Sequence, residues 1–128
     1  AEVAAGRWGV RAAGAAMVVG ALWAAWDHRR VESIFTPAPG AAPLSQRIAD
    51  GSRSALFGHH ADYAAVTTPP RDTDLRRFER PLRQLIDTRL LIAYIEALKA
   101  DGRTAEALYA AQRLREFRRP DAQSYFKD

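Results

Sequence analysis

The stretch LFGHHADYAAVTTPP, residues 56–70, sets His59 and His60 side by side, with Asp62 and Tyr63 immediately after. Imidazole beside carboxylate is the raw material of a metal site or of a general acid–base pair. The helical spacing works against both. On a regular helix consecutive side chains point about 100° apart, so His59 and His60 cannot both chelate one ion. His59 shares a face with Asp62 and with Tyr63, but two ligands without a third make a poor site. His28, the chain's remaining histidine, sits near the expected membrane interface and could supply a third ligand, though nothing in the spacing requires it. The plainer reading is a helix edge with Tyr63 towards the core and His60 towards solvent.

The other signatures of chemistry are missing from the sequence. There is no Gly-rich phosphate loop, no HExxH and no nucleophile elbow. Cysteine is absent, which removes disulfides and thiolate metal sites. Asp72 and Asp74 stand where helix caps are needed, which accounts for them. The sequence therefore predicts no catalytic residue, no metal ligand and no cofactor-binding residue in this chain. The balance is mildly basic, 19 Lys and Arg against 15 Asp and Glu, with Lys99 and Lys127 the only lysines. Because the signs alternate, as in RDTDLRRFERPLRQLIDTR, no single-sign stripe forms, and nucleic acid is not an expected partner. The first residue is alanine rather than methionine, so the chain is expected to be part of a longer or processed protein.

The elements around the histidines are more informative. Trp8 to Trp26, WGVRAAGAAMVVGALWAAW, runs 19 residues with Arg11 as its one charge. As a helix it reaches about 28 Å, near the hydrocarbon thickness of a bilayer. The three tryptophans, Trp8, Trp23 and Trp26, lie towards its ends, as interfacial anchors do. Arg11, within a turn of one end, can snorkel. Ala12, Ala16, Gly20 and Ala24 form a smooth stripe on which another helix can pack, so other transmembrane helices are expected partners. A buried helix of a soluble protein is the alternative, because alanine is only weakly apolar. A signal peptide fits less well, since no clean cleavage site follows. Arg7 precedes the span and DHRR, residues 27–30, follows it, so the positive-inside count leans weakly to a cytoplasmic C-terminal side.

RRVESIF continues the helix, giving a first unit of residues 1–35. TPAPGAAP, residues 36–43, is a Pro/Gly linker. Residues 44–128 form the expected helical domain. Its pattern is helical from Leu44 to about Ala64, stops at TTPP, and resumes with Asp72 or Thr73 as a cap. Pro81 kinks that helix or starts the next. Leu82, Leu85, Ile86, Leu90, Ala93, Tyr94, Ala97 and Leu98 make an apolar stripe. Gly102 supplies the stop, and Thr104 to Phe117 forms another helix with Ala107, Leu108, Ala111 and Leu114 inward. No strand pattern appears, so the class is all-α.

Residues 88–120 have the length and punctuation of one tetratricopeptide unit, two helices about a glycine turn followed by proline. Leu91, Tyr94 and Leu98 take large positions of the first helix, Gly102 the turn, and Ala107, Ala111 and Leu114 the packing face of the second. Ile95 occupies a position that is usually small, and an ordinary αα-hairpin fits as well. In both cases the role is a scaffold or docking surface.

In order, AAWDHRRVESIF, the proline linker, LFGHHADYAAVT and DTRLLIAYIEALKADGRTAEALYAAQRLREF resemble the C-terminal region of the bacterial Wzy/O-antigen-ligase superfamily, in particular the Wzy C-terminal region of PglL-type O-oligosaccharyltransferases. The resemblance implies a membrane bundle followed by a small helical domain, in a parent that moves a lipid-linked glycan onto a polysaccharide or protein acceptor. The family's catalytic Arg and His residues lie upstream of this segment, and none is carried over to it. It further implies the bacterial inner membrane, with the helical domain in the periplasm, against the weak charge count. A stand-alone membrane-anchored or soluble repeat protein that docks partners is the alternative function. An enzyme with a site at residues 59–62 is the third.

Overall fold

The computed structural model describes residues 2–117 and 119–127. Among them the secondary structure is entirely helical: α1 (Glu2–Phe35), α2 (Leu44–Ser52), α3 (Gly58–Thr67), a 3₁₀ turn (Leu75–Phe78), α4 (Glu79–Gln84), α5 (Thr88–Ala100), α6 (Thr104–Arg115) and α7 (Pro120–Tyr125).

α1 is one unbroken helix with two different surroundings. From Val3 to Trp23 every residue is exposed, with Trp8 at 69% and Met17 at 75%. Ala24 is the first residue to lose part of its exposure, and Asp27, Val31 and Ile34 are buried. The helix is long and apolar enough to cross a membrane. Its last turns pack against α2 and α3, where Val31 and Ile34 meet Ala61 and Ala64.

The Pro/Gly segment after α1 turns the chain back, with Gly40 at φ +75°, so that α2 lies along α1. Arg47 of α2 fastens this return. Its guanidinium donates to the carbonyls of Ser33 at 2.6 Å and Ile34 at 3.1 Å, and to Ala42 at 2.8 Å. The final carbonyls of a helix lack intrahelical donors and carry partial negative charge, so a cation there satisfies both. The packed body therefore includes the end of α1, and residues 36–43 are a turn within it.

The helix expected from Leu44 to Ala64 is instead two, α2 and α3, broken at residues 53–57. The cause is Asp27. Its carboxylate accepts from Ser54 Oγ at 2.6 Å and from the Leu56 amide at 3.4 Å, while Ser54 Oγ accepts from the Phe57 amide at 3.0 Å. Those bonds hold the backbone out of the helix and satisfy its amides in the turn. Phe57 also meets His28 edge-on, ring centroids 5.1 Å apart.

The stripe from Leu82 to Leu98 is likewise interrupted. Leu85 is extended and Asp87 caps α5, its side chain accepting from the Leu90 amide at 3.1 Å. Pro81 sits in the first turn of α4, where its missing amide hydrogen leaves no bond unmade. The cap of the preceding 3₁₀ turn is Asp74, which accepts from the Arg76 amide at 3.0 Å. Asp72 in turn accepts from the Asp74 amide at 2.9 Å.

α5 and α6 form an antiparallel hairpin about Gly102, which has φ +76°. Ile95 and Leu98 bury against Ala107, Ala110 and Leu114, with Ala122 of α7 closing the cluster. Leu108, expected inward, is 68% exposed. The buried face of α6 runs through residues 107, 110 and 114, and Leu108 lies about 100° around the helix from Ala107. A second cluster, Val66, Phe78, Leu90, Ala93 and Ala97, joins α3 to α5.

Candidate functional site

His59 and His60 open α3. Their ring centroids are 4.2 Å apart and tilted by 38°, so the two side chains converge more than an ideal helix requires. The third partner needed for chemistry is absent from them. Among the described residues no group of three or more His, Asp and Glu side chains is arranged to hold a metal ion.

Asp62, one turn after His59, is buried and committed elsewhere. Its Oδ2 accepts from Arg80 Nε at 2.8 Å. Its Oδ1 accepts from Arg77 Nη1 at 3.3 Å and from Ser52 Oγ at 3.2 Å. Arg80 Nη2 donates to the Ser52 carbonyl at 2.9 Å, and Arg77 Nε pairs with Asp72 at 3.2 Å. One carboxylate thus ties α2, α3, the 3₁₀ turn and α4 together. The Arg80 guanidinium lies over Gly58, where an added Cβ would come within 2.3 Å of Nη1 and 2.9 Å of Cζ. A side chain at 58 would push it off the carboxylate.

His59 is held below the usual imidazole range, first by burial, then by repulsion from His60 and Arg80, with Asp62 opposing. A neutral imidazole can accept a proton. An acid–base pair also needs a carboxylate that orients the ring. Among the described residues Asp62 makes no hydrogen bond to His59; its bonds go to arginines and serine. The arrangement is that of a buried structural tie with histidines at its rim. Tyr63 donates to Asp87 at 3.1 Å and so fastens the α5 cap to α3; burial and that carboxylate push its phenol up.

The residues expected to pack the hairpin do not share one surrounding. Leu98, Ala107 and Leu114 are buried in the α5–α6 seam. Leu91 and Tyr94 are half-buried, and they line an open groove of about 610 Å³ between α4, α5 and α6. Leu82, Ile86, Tyr109 and Phe117 also line it, with Glu106 and Arg113 as its charged residues. Ala111 faces the opposite side of α6, beside Leu108 and Tyr125. Gly102 stands at the turn, with open space within 4 Å of a Cβ built there. The sequence pattern missed this groove because Ile86, 87% exposed, reads as part of a core stripe. The one available signal was Asp87–Thr88, a cap that ends the stripe before α5 begins.

Trp8, Trp23 and Trp26 are all exposed on α1, and the Arg30 guanidinium stacks 3.8 Å over the Trp26 ring. At the far end of the molecule Tyr125 donates to Glu96 and accepts from Lys99 at 3.3 Å, fixing α7 to α5. Compared with known proteins, the chain matches no family model, no curated protein and no solved structure.

Proposed function

We propose that this chain is a non-catalytic helical module anchored by α1, the C-terminal accessory domain of a membrane-embedded glycan polymerase or ligase. It serves there as a scaffold or acceptor-docking surface. The observation that carries the reading is the continuity of α1, whose exposed apolar length runs without a hinge into turns buried in the body. A monomeric soluble protein rarely leaves so long an apolar helix bare, and such a surface marks contact with a membrane or with other helices. The smooth Ala12, Ala16, Gly20 and Ala24 stripe is open, with nothing within 4 Å of a Cβ built at Gly20, and suits other helices of the parent.

The segments that resemble the Wzy/O-antigen-ligase C-terminal region supply framework residues. Asp27 and Val31 come from AAWDHRRVESIF, Phe57 and Asp62 from LFGHHADYAAVT, and Asp87, Leu90 and Leu98 from the hairpin. Each holds two elements together, which supports a shared scaffold and assigns no chemistry to this segment. The groove beside Tyr94 favours the second reading, a stand-alone anchored or soluble repeat-like module that docks a partner. The parent's upstream sequence separates the two: many apolar spans before Ala1 support the first, and a start codon just upstream supports the second.

On the resemblance, and against the weak charge count, we further propose that the module sits on the periplasmic face of the bacterial inner membrane. The test is a single cysteine at exposed Ser124, in a parent cleared of other thiols, treated with a membrane-impermeant maleimide. Labelling with the inner membrane intact and the outer membrane permeabilised supports the assignment. Protection until the inner membrane is lysed puts the body in the cytoplasm and replaces acceptor docking with an assembly scaffold.

A further inference from the structure

We infer that the 53–57 turn and the arginines around it form a docking face for the headgroups of anionic phospholipids. The inference rests on the reading of α1 as a membrane span, and it adds a second, peripheral contact between the body and the same bilayer.

Position comes first. α1 is bare until Ala24, and Trp26 is the last of its tryptophans. Asp27, the next residue, holds Ser54 and the Leu56 amide through its carboxylate. The turn is therefore bolted to the helix at the level where the span ends, and it cannot move away from the surface without breaking a buried hydrogen bond. Leu56, at its tip, is 48% exposed, an apolar side chain at headgroup depth.

Charge comes second. Behind Leu56 lies a concavity of about 210 Å³, whose lining includes Ala55, His59, Arg80 and Arg83 and contains no acidic residue. Arg83 is exposed and has no ion pair among the described residues. Arg53 reaches Asp50 only at 4.0 Å, with 77% of its side chain exposed. Arg29 is exposed on α1 three residues after Trp26, and Arg30 covers the Trp26 ring. Of the nearby acids, Asp62 holds Arg80, Asp27 holds Ser54 and Glu32 lies 3.9 Å from His28, while Asp50 and Glu79 are exposed. An apolar tip with the exposed arginines Arg53 and Arg83 beside it matches the depth profile of an anionic leaflet, where apolar groups insert and arginines meet phosphate.

The test uses the full chain, which has no native cysteine. An environment-sensitive fluorophore is attached at Ala55→Cys, or at Ser124→Cys on α7 as the distant position. Each is reconstituted in vesicles of phosphatidylcholine alone or mixed with phosphatidylglycerol, with a quencher carried at headgroup depth. The label at 55 is expected to be quenched, more strongly with phosphatidylglycerol, and the label at 124 spared. Replacing Arg53 and Arg83 by Gln should lower the docked-to-free ratio by about fivefold per arginine in the anionic vesicles. Lipid quenching of tryptophan in the unlabelled chain reports α1 separately. Tryptophan quenched while position 55 stays as bright as 124 overturns the docking face alone. Equal quenching at 55 in both lipids, unchanged by the Gln variant, overturns the anionic headgroup as its occupant. Tryptophan left unquenched overturns the span, and the docking face with it.

Discussion

Replacing Asp62 by asparagine tests whether the histidine-rich stretch is a structural tie or a chemical site. The substitution keeps the shape, removes the charge, and turns an amide group towards two guanidinium groups. Breaking a fully buried ion pair costs about 3–5 kcal/mol. Here the figure is smaller, because Arg77 and Arg80 keep 35% and 45% of their side-chain surface in water and rehydrate when released. The short bond from Arg80 Nε, 2.8 Å, is the main loss, and a hydrogen bond to a charged partner contributes about 1.5–3 kcal/mol. We therefore expect a loss of about 2 kcal/mol, which lowers the melting temperature of a body this size by about 8–16 °C. The assay is thermal unfolding of the full chain in detergent micelles by circular dichroism. Asp62→Asn, Arg80→Gln and the double variant complete the cycle, with an expected coupling of about 1–2 kcal/mol. A normal melt for Asp62→Asn, together with lost activity of the parent, would refute the structural account. Loss of activity in a well-folded His59→Ala/His60→Ala parent would point the same way.

Gly102→Val is expected to destabilise the hairpin by about 2 kcal/mol and Gly102→Ala by about 1 kcal/mol, because the site is sterically open and only its left-handed backbone is strained. Melting both variants checks the order, and equal stability for all three residues would contradict it. Arg47→Ala should cost about 2 kcal/mol by uncovering the last carbonyls of α1, read as faster amide exchange at residues 36–43. The attachment of α7 should depend on pH at both extremes. Glu96 is held below the usual carboxylate range, first by the Tyr125 hydroxyl and then by Lys99, so its contribution is present above the unfolded pKa and lost as acid protonates the folded carboxylate. Tyr125 is pushed up, first by burial and then by Glu96, so its contribution is complete below the unfolded pKa, near 10, and is lost as the pH rises through the higher folded value. Tyr125→Phe should flatten both limbs, measured by melting across pH.

The fold class was legible because helical periodicity is a local property. The stripe through Leu90, Ala93, Ala97 and Leu98, and the glycine at 102, follow from spacing and backbone chemistry alone. The breaks were not. Residues 53–57 leave the helix because Asp27, far back in the chain, takes the Ser54 hydroxyl and the Leu56 amide, and no window on the sequence contains both partners. Asp62 reads as half of a His/Asp pair until Arg77 and Arg80 arrive from the 3₁₀ turn and α4. The interleaved charges of residues 71–89 hide which arginine is committed and which is free. Leu108 was misplaced by a single step around α6, because in an alanine-rich helix the larger side chain reads as the inward one.

The central claim, a bilayer-spanning α1 fixed to a helical body, is tested most directly by a depth profile. Met17 lies nine residues from both Trp8 and Trp26, about 14 Å along the helix in each direction. With the full chain in vesicles, a label at Met17→Cys is expected to be quenched best by lipids carrying the quencher deep in the acyl chain. In single-tryptophan variants, Trp8 and Trp26 should both respond best to a shallow quencher. A label at residue 17 that aqueous iodide quenches, or that responds best to the shallow lipid as the tryptophans do, would contradict the span.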